Sequence, residues 1–399
     1  MFNLLFYILL QIVSCNHSLN PQNKEIEHKK VDPKIEVGAD KYEEYLPLLK
    51  DKNVAIVCNH TARVGSEHLV DFLLKNDIQI KKVFAPEHGF RGTEKAGANI
   101  NNEIDPITKL PIISLYGKNK KPLKEDLEQI DIIVFDIQDV GARFYTFLST
   151  LHYVMESCAE NNKELLILDR PNPNGHYVAG PILEESQKSF VGIAKIPVVH
   201  GLTLGEYAQM AKGEQWINPA NSLKLKIISC SNYNHKSAYQ VPIPPSPNLG
   251  NQQAIYLYPS LCLFEGTPIS VGRGSIAPFN YIGCPQFKDM YPFSYVQKNK
   301  NEKEALGIIN YGLDLSKNKF RRDENDFTLK YLIEFYKAYP EKDNFFLKNL
   351  FFDKLIGNSW VRQMILEGKS EKEIKSKWVN QLNDYKIMRK KYLLYPDFE

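Results

Sequence analysis

Four short polar stretches carry most of the side chains able to do acid–base or polar chemistry. They are Asn59-His60-Thr61, Pro86-Glu87-His88-Gly89-Phe90-Arg91-Gly92, Asp136-Ile137-Gln138-Asp139-Val140-Gly141-Ala142-Arg143 and Asp169-Arg170-Pro171-Asn172-Pro173-Asn174-Gly175. Carboxylates, imidazoles and guanidiniums held together supply proton donors, proton acceptors and forked anion contacts. His60, His88, Asp136, Asp139, Asp169 and His200 also make an N/O donor set of the kind a metal-dependent hydrolase uses. No metal-ligand spacing compels that reading. Helix caps and turns account for Asp169 and Asn172, but not for Glu87-His88 beside Arg91.

Each polar stretch follows a short apolar run. Residues 53–59, 82–86, 111–116, 130–135 and 164–168 are rich in Val, Ile, Leu and Phe on both faces, and helical patterns at 67–75 and 147–160 separate them. Such runs describe a parallel sheet covered on two sides, a Rossmann-like α/β domain. In these sheets ligands sit beyond the carboxyl ends of the strands, so the four stretches are expected to meet on one rim. His200-Gly-Leu-Thr-Leu-Gly-Glu206-Tyr207, the loop Val241-Pro-Ile-Pro-Pro-Ser-Pro-Asn248 and Leu263 to Ser275 follow. Four prolines stiffen that loop toward an extended path.

Beyond residue 285 the pattern turns helical. Leu329, Leu332, Ile333 and Tyr336 share one spacing, and Trp360, Val361, Met364 and Ile365 another, stopped by Gly368. Ser370 and Glu373 form a capping box opening a last helix with Ile374, Trp378, Leu382 and Tyr385 on one stripe. Lys372, Lys375, Lys377, Lys386 and Arg389 lie on its other side and read as a solvated face.

Fifty Lys plus Arg against 47 Asp plus Glu leave a net charge of +3, which gives no electrostatic reason to bind nucleic acid. The first fourteen residues hold an apolar core too short to span a membrane, followed by Ile12-Val13-Ser14-Cys15, which resembles a lipoprotein cleavage site. The expectation is export, with a lipid anchor at Cys15 in the periplasm or outer membrane. The organisation expected is a leader over 1–14, a tether over 15–39, the Rossmann-like catalytic domain over 40–285 and a smaller C-terminal α+β domain over 286–399. Cys58, Cys158, Cys230, Cys262 and Cys284 are odd in number and widely spaced, and read as small buried hydrophobes. Gly272-Arg-Gly274-Ser-Ile-Ala277 matches a dinucleotide fingerprint literally, but Pro278 stands where its helix should run. No phosphate-loop lysine, G-x-S-x-G or H-E-x-x-H is present, so no cofactor is expected.

Pro86 to Gly92, Asp136 to Arg143 continued by Phe144-Tyr145-Thr146, and Asp169 to Gly175, with His200 to Glu206, Pro245-Ser-Pro-Asn248, Phe264-Glu265-Gly-Thr-Pro-Ile-Ser-Val-Gly-Arg273-Gly-Ser275 and Tyr392-Leu-Leu-Tyr395, resemble the exo-β-N-acetylmuramidases of the NamZ type, the DUF1343 family. The likeness spans nearly all of the chain after residue 45. Pro268, Ser275 and His176 depart from the pattern, and Pro268 bears on a sugar contact. The resemblance implies a peptidoglycan glycosidase that removes β-1,4-linked N-acetylmuramic acid from non-reducing ends of glycan chains or muropeptide-derived disaccharides. It also implies a cleft between the Rossmann-like domain and the C-terminal domain.

Glycoside hydrolysis generally uses two carboxyl groups, one to protonate the leaving oxygen. Under the implied activity Glu87 is the general acid, with His88 as a hydrogen-bond partner. The second group is one of Asp136, Asp139, Asp169 and Glu265, with one of the first two capping the next helix. Alternatively the substrate's acetamido group is the nucleophile, oriented by an aspartate. Muramic acid differs from glucosamine by a lactyl carboxylate, for which Arg91, Arg143 and Arg273 are candidate partners, Arg143 having an ion pair with Asp136 or Asp139 as its other reading. Asn59, His60, Asn248 and His200 complete the expected substrate contacts. The rivals are a metal-dependent hydrolase and a non-catalytic muropeptide-binding protein.

Overall fold

Seven of the apolar and alternating runs assemble into one sheet. In the computed structural model, which describes residues 33–91, 103–298, 306–317 and 326–399, its strands are β1 (Val54–Cys58), β4 (Ile80–Ala85), β5 (Glu103–Ile104), β6 (Pro111–Ser114), β7 (Ile132–Asp136), β8 (Glu164–Leu168) and β9 (Lys224–Ile228). A short hairpin of β2 (Arg63–Val64) and β3 (Glu67–His68) lies outside it. The spatial order is β5-β6-β4-β1-β7-β8-β9, parallel throughout except for the β5–β6 edge. The expected leader, Cys15, most of the expected tether and Gly92 lie outside the described residues.

The sheet is doubly wound because its strands are apolar on both sides. Ala55, Val57, Ile133 and Phe135 face one core with helices α3 (Phe147–Glu160) and α4 (Leu204–Gly213). Val54, Ile56, Ile132 and Val134 face the other with α1 (Tyr42–Leu49) and α2 (Leu69–Lys75). After β1 the chain steps outward through β4 and β6, then returns to β7 on the opposite side of β1. The topological switch therefore lies between β1 and β7, where open α/β sheets leave a crevice at the carboxyl ends. Residues 59–61 and 137–143 follow those two strand ends.

The C-terminal part opens with α5 (Gln252–Leu261) and a small antiparallel sheet ordered β10 (Tyr281–Cys284), β12 (Ile309–Asp314), β11 (Phe293–Val296). The expected division at 285/286 falls just after β10, so this sheet begins before it. Helices α6 (Lys330–Ala338), α7 (Phe351–Ile356), α8 (Trp360–Leu366), α9 (Glu371–Ser376) and α10 (Val379–Lys390) follow. Residues 35–399 pack as one compact unit.

The Ser370/Glu373 capping box forms as its sequence requires, but the last helix is two, broken at Lys377-Trp378. Ile374, Trp378 and Tyr385 are buried along the expected stripe. Arg389 corrects the expectation of a solvated face: it is fully buried, with Nη1 on both Asp397 oxygens at 2.8 and 3.0 Å. The chain beyond α10 folds back, so one residue of the polar face acquires a partner that helical periodicity cannot foresee. All five cysteines after Cys15 are free and buried. Among the described residues no helix is long and apolar enough to cross a membrane.

Candidate active site

The segment after β4 is a tight turn. Gly89 N–H donates to Pro86 O at 3.0 Å, and His88 and Gly89 take φ of +72° and +76°. A side chain other than glycine in the left-handed region is strained; in this turn Glu87 is half-buried at the strand end and His88 is buried. Thr146 Oγ1, just before α3, donates to Glu87 Oε2 at 2.7 Å. The Tyr116 hydroxyl, beyond β6, bonds the same carboxyl group. Burial, with the Glu87 and Glu265 charges, pushes that hydroxyl well above its ordinary range, so it remains a proton donor.

Asp139 lies on the loop leaving β7. Its Oδ2 accepts Gly141 N–H at 2.6 Å and the carboxyl also accepts Val140 N–H. Its Oδ1 is buried without a hydrogen-bond partner among the described residues. Burial raises this carboxyl to about 7, against those backbone bonds. His200 Nε2 stands 3.8 Å from Asp139 Oδ2, too far for a hydrogen bond. His200 Nδ1 accepts Leu202 N–H at 3.2 Å, so the ring proton sits on Nε2 and faces Asp139. Burial, helped by the Arg389 and Arg143 charges, lowers this imidazole to about 3 and keeps it neutral.

Tyr145 lies within electrostatic reach of both carboxyl groups. Burial pushes its hydroxyl up, a Ser246 contact opposes, and the Asp139 and Glu87 charges raise it further against Arg273. Arg273 donates to Glu265 Oε1 through Nε (3.1 Å) and Nη2 (2.6 Å) and stacks 5.1 Å from the Phe279 ring centre. The small sheet positions this arginine. Ser270 pairs with Gly283 of β10, Phe279 N–H donates to Val271 O, and the Gln297 amide donates to Arg273 O. On the other flank the His60 ring bonds Pro244 O at 2.8 Å, so the proline-rich loop walls the site; Asn248 is buried at its end. Asn59 Oδ1 accepts Thr61 N–H and Oγ1–H, while its buried Nδ2 has no partner among the described residues.

Glu87, Asp139 and His60 thus lie just past the carboxyl ends of β4, β7 and β1, with the Glu265 charge felt at Tyr116 and that of Arg273 at Tyr145. Four other expected site residues are engaged elsewhere. Asp136 is fully buried against Arg170, whose Nη2 donates to Oδ2 at 2.8 Å, and it caps no helix. Asp169 accepts Gly205 N–H at 2.9 Å and the Tyr395 hydroxyl at 2.7 Å, tying the chain's last residues to β8 and α4. Arg143 is 0% exposed and meets neither Asp136 nor Asp139; its fork donates to Pro181 O, Ile196 O and Leu355 O at 2.9, 2.7 and 3.0 Å. Burial without a counter-ion lowers it to about 9. Arg91 pairs with Asp105 at 2.9 Å and Asp71 at 3.5 Å and lies over Phe90.

With Asp136 and Asp169 so engaged, the metal-binding set does not assemble, and among the described residues no three His, Cys, Asp or Glu side chains are grouped to hold an ion. Tyr116, Tyr145 and Thr146 carry no role in the sequence reading. Tyr116 ends the third apolar run, where the crevice rule points; Tyr145 and Thr146 close the Asp136 motif.

Comparison with known proteins matches residues 54–253 to the N-terminal model of exo-β-N-acetylmuramidase NamZ and residues 256–395 to its C-terminal model. The peptidoglycan β-N-acetylmuramidase NamZ of Bacillus subtilis strain 168 is 36% identical over 95% of each chain. Two crystal structures of DUF1343 family proteins from Bacteroides fragilis NCTC 9343 superpose with TM-scores of 0.84 and 0.77, at 44% and 28% identity, covering 92% and 91% of this chain and all of theirs. With both family models and full-length relatives in agreement, the chain belongs to the NamZ family of exo-β-N-acetylmuramidases.

Proposed function

We propose that the protein is an exo-acting glycoside hydrolase that removes β-1,4-linked N-acetylmuramic acid from the non-reducing ends of peptidoglycan fragments. The observation that carries this reading is the placing of Glu87, held by Thr146 and Tyr116, and of Asp139, with its partnerless buried oxygen, just past the ends of β4 and β7, in a chain 36% identical over 95% of its length to a peptidoglycan β-N-acetylmuramidase.

Glu87 is the general acid. Two hydroxyls, from Thr146 and Tyr116, hold its carboxyl group in one orientation, which is what proton transfer to a glycosidic oxygen needs. Asp139 is the second group. Its partnerless Oδ1 is a buried acceptor, suited to the substrate's acetamido N–H or to the positive charge of an oxocarbenium-like centre. Tyr145 supplies a hydroxyl within electrostatic reach of both. Arg273 is the contact for the lactyl carboxylate: its charge reaches Tyr145, and its fork, paired with Glu265 as that of Arg91 is with Asp105, is partly exposed, whereas Arg143 is fully buried. Asn59, His60 and Asn248 offer contacts for sugar hydroxyls or the acetamido group. The apolar leader and Cys15 support export and a lipid anchor, which brings the enzyme to its polymer.

The test is incubation of purified protein with a muramic acid–glucosamine disaccharide followed by mass spectrometry, alongside Glu87→Gln. Release of free N-acetylmuramic acid by the wild type, reduced by about 100-fold or more in Glu87→Gln, is expected. Binding without turnover would convert the reading to a cell-wall receptor, and near-normal activity of the variant would remove Glu87 from the acid role.

A further inference from the structure

The last helix reaches the candidate site through backbone. The Tyr385 hydroxyl donates to His200 O at 2.8 Å, and Arg389 donates from Nε and Nη2 to Gly201 O at 2.9 and 2.8 Å. Arg389 is itself braced by Asp397 and lies 4.8 Å from the Phe398 ring centre. Two consecutive carbonyls, nearly two hundred residues away in sequence, are thus held by three hydrogen bonds from one helix face. Gly201 has φ +64°, and a Cβ there would stand 2.9 Å from Val178 Cγ2 and 3.2 Å from Arg389 Nε. The packing therefore admits only glycine between the helix and the imidazole. On the far side of that backbone the His200 ring is locked by Leu202 N–H and points its Nε2 toward Asp139.

We propose that Tyr385 and Arg389 are positioning residues for hydrolysis, acting through His200 on Asp139. This inference rests on the assignment of Asp139 above. His200 Nε2 stands 3.8 Å from Asp139 Oδ2, a packing contact and not a hydrogen bond, so the neutral ring is a wall beside the carboxyl group. A shift of His200 away from it leaves the carboxyl group free to rotate off its backbone donors. The C-terminal helix stops that shift, so it serves the reaction from outside the cleft.

The test is a double-mutant cycle on a chromogenic N-acetylmuramide, with melting temperature measured for each variant. Tyr385→Phe keeps the ring and removes the hydroxyl. It is expected to lower kcat by about three- to tenfold, the range for one lost neutral hydrogen bond, with KM within about twofold. In a His200→Gln background the same change is expected to cost nothing further, because the residue through which it acts is already altered. If Tyr385→Phe melts early, Arg389→Lys, which keeps the charge and weakens the hold on Gly201, carries the same cycle. Equal losses in both backgrounds, or an unchanged kcat in a stably folded variant, overturn the proposal. Asp139→Asn separates it from its foundation: full activity there removes the Asp139 assignment, whereas an inactive Asp139→Asn with an additive cycle removes only the role of the helix.

Discussion

The role proposed for Asp139 sets stability against chemistry in a way that can be measured directly. Its side chain is only about 6% exposed, its Oδ1 has no partner among the described residues, and burial moves it from the usual 3.8 to about 7. Between those two pH values the folded protein holds a proton that the unfolded chain has released. Stability from this group is therefore complete below about pH 4 and is lost as pH rises through 7. A shift of about three units corresponds to about 4 kcal/mol at about 1.36 kcal/mol per unit. Asparagine keeps the acceptor for Gly141 N–H and never ionises. Asp139→Asn is thus expected to match the wild type in urea unfolding near pH 4 and to exceed it by about 3 to 4 kcal/mol at pH 8, with an unchanged m-value. Activity is expected to move the other way. The wild-type kcat/KM rises with a midpoint near pH 7 as Asp139 ionises, and the stabler variant loses turnover by about 100-fold. A stability difference that is flat with pH, or that widens toward acid, would refute the reasoning.

Two further outcomes follow from the site. Arg273→Ala is expected to abolish the preference for a muramide over a glucosaminide in paired kinetic assays while changing stability by less than about 1 kcal/mol, because its ion pair with Glu265 is partly exposed; a retained preference would move the lactyl contact elsewhere. Gly141→Ala is expected to destabilise by about 2 kcal/mol or more in urea unfolding, since φ is +79° and a Cβ would stand 2.2 Å from Asn172 Oδ1. Wild-type stability there would mean that the loop relaxes freely.

The elements were legible where local physics is strong. The helix read at 147–160 and the strand at 164–168 coincide with α3 and β8, since apolar periodicity and length leave little choice. β9 was not read: Lys224-Leu-Lys-Ile-Ile is half polar, as an edge strand can be, and only its pairing with β8 makes it a strand. The C-terminal domain is α+β as expected, but the strands of its small sheet are not placed by the sequence pattern, because antiparallel pairing of short, distant segments is a non-local event.

Side-chain chemistry separates along the same line. By itself the sequence determined the family, the doubly wound sheet and the strand ends at which Glu87 and Asp139 stand, because motif spacing and apolar runs place residues there. It did not determine which of several equivalent carboxylates and guanidiniums keep unsatisfied atoms for a substrate. Asp136 and Asp139 are three residues apart in one motif, yet one meets Arg170 and the other has a partnerless oxygen. Arg143 and Arg273 carry the same fork, yet one is buried against three backbone carbonyls, of Pro181, Ile196 and Leu355, and the other pairs with the Glu265 carboxylate. Hydrogen-bond partners are chosen by proximity in space, so tertiary structure alone decided which charges met backbone and which met other side chains.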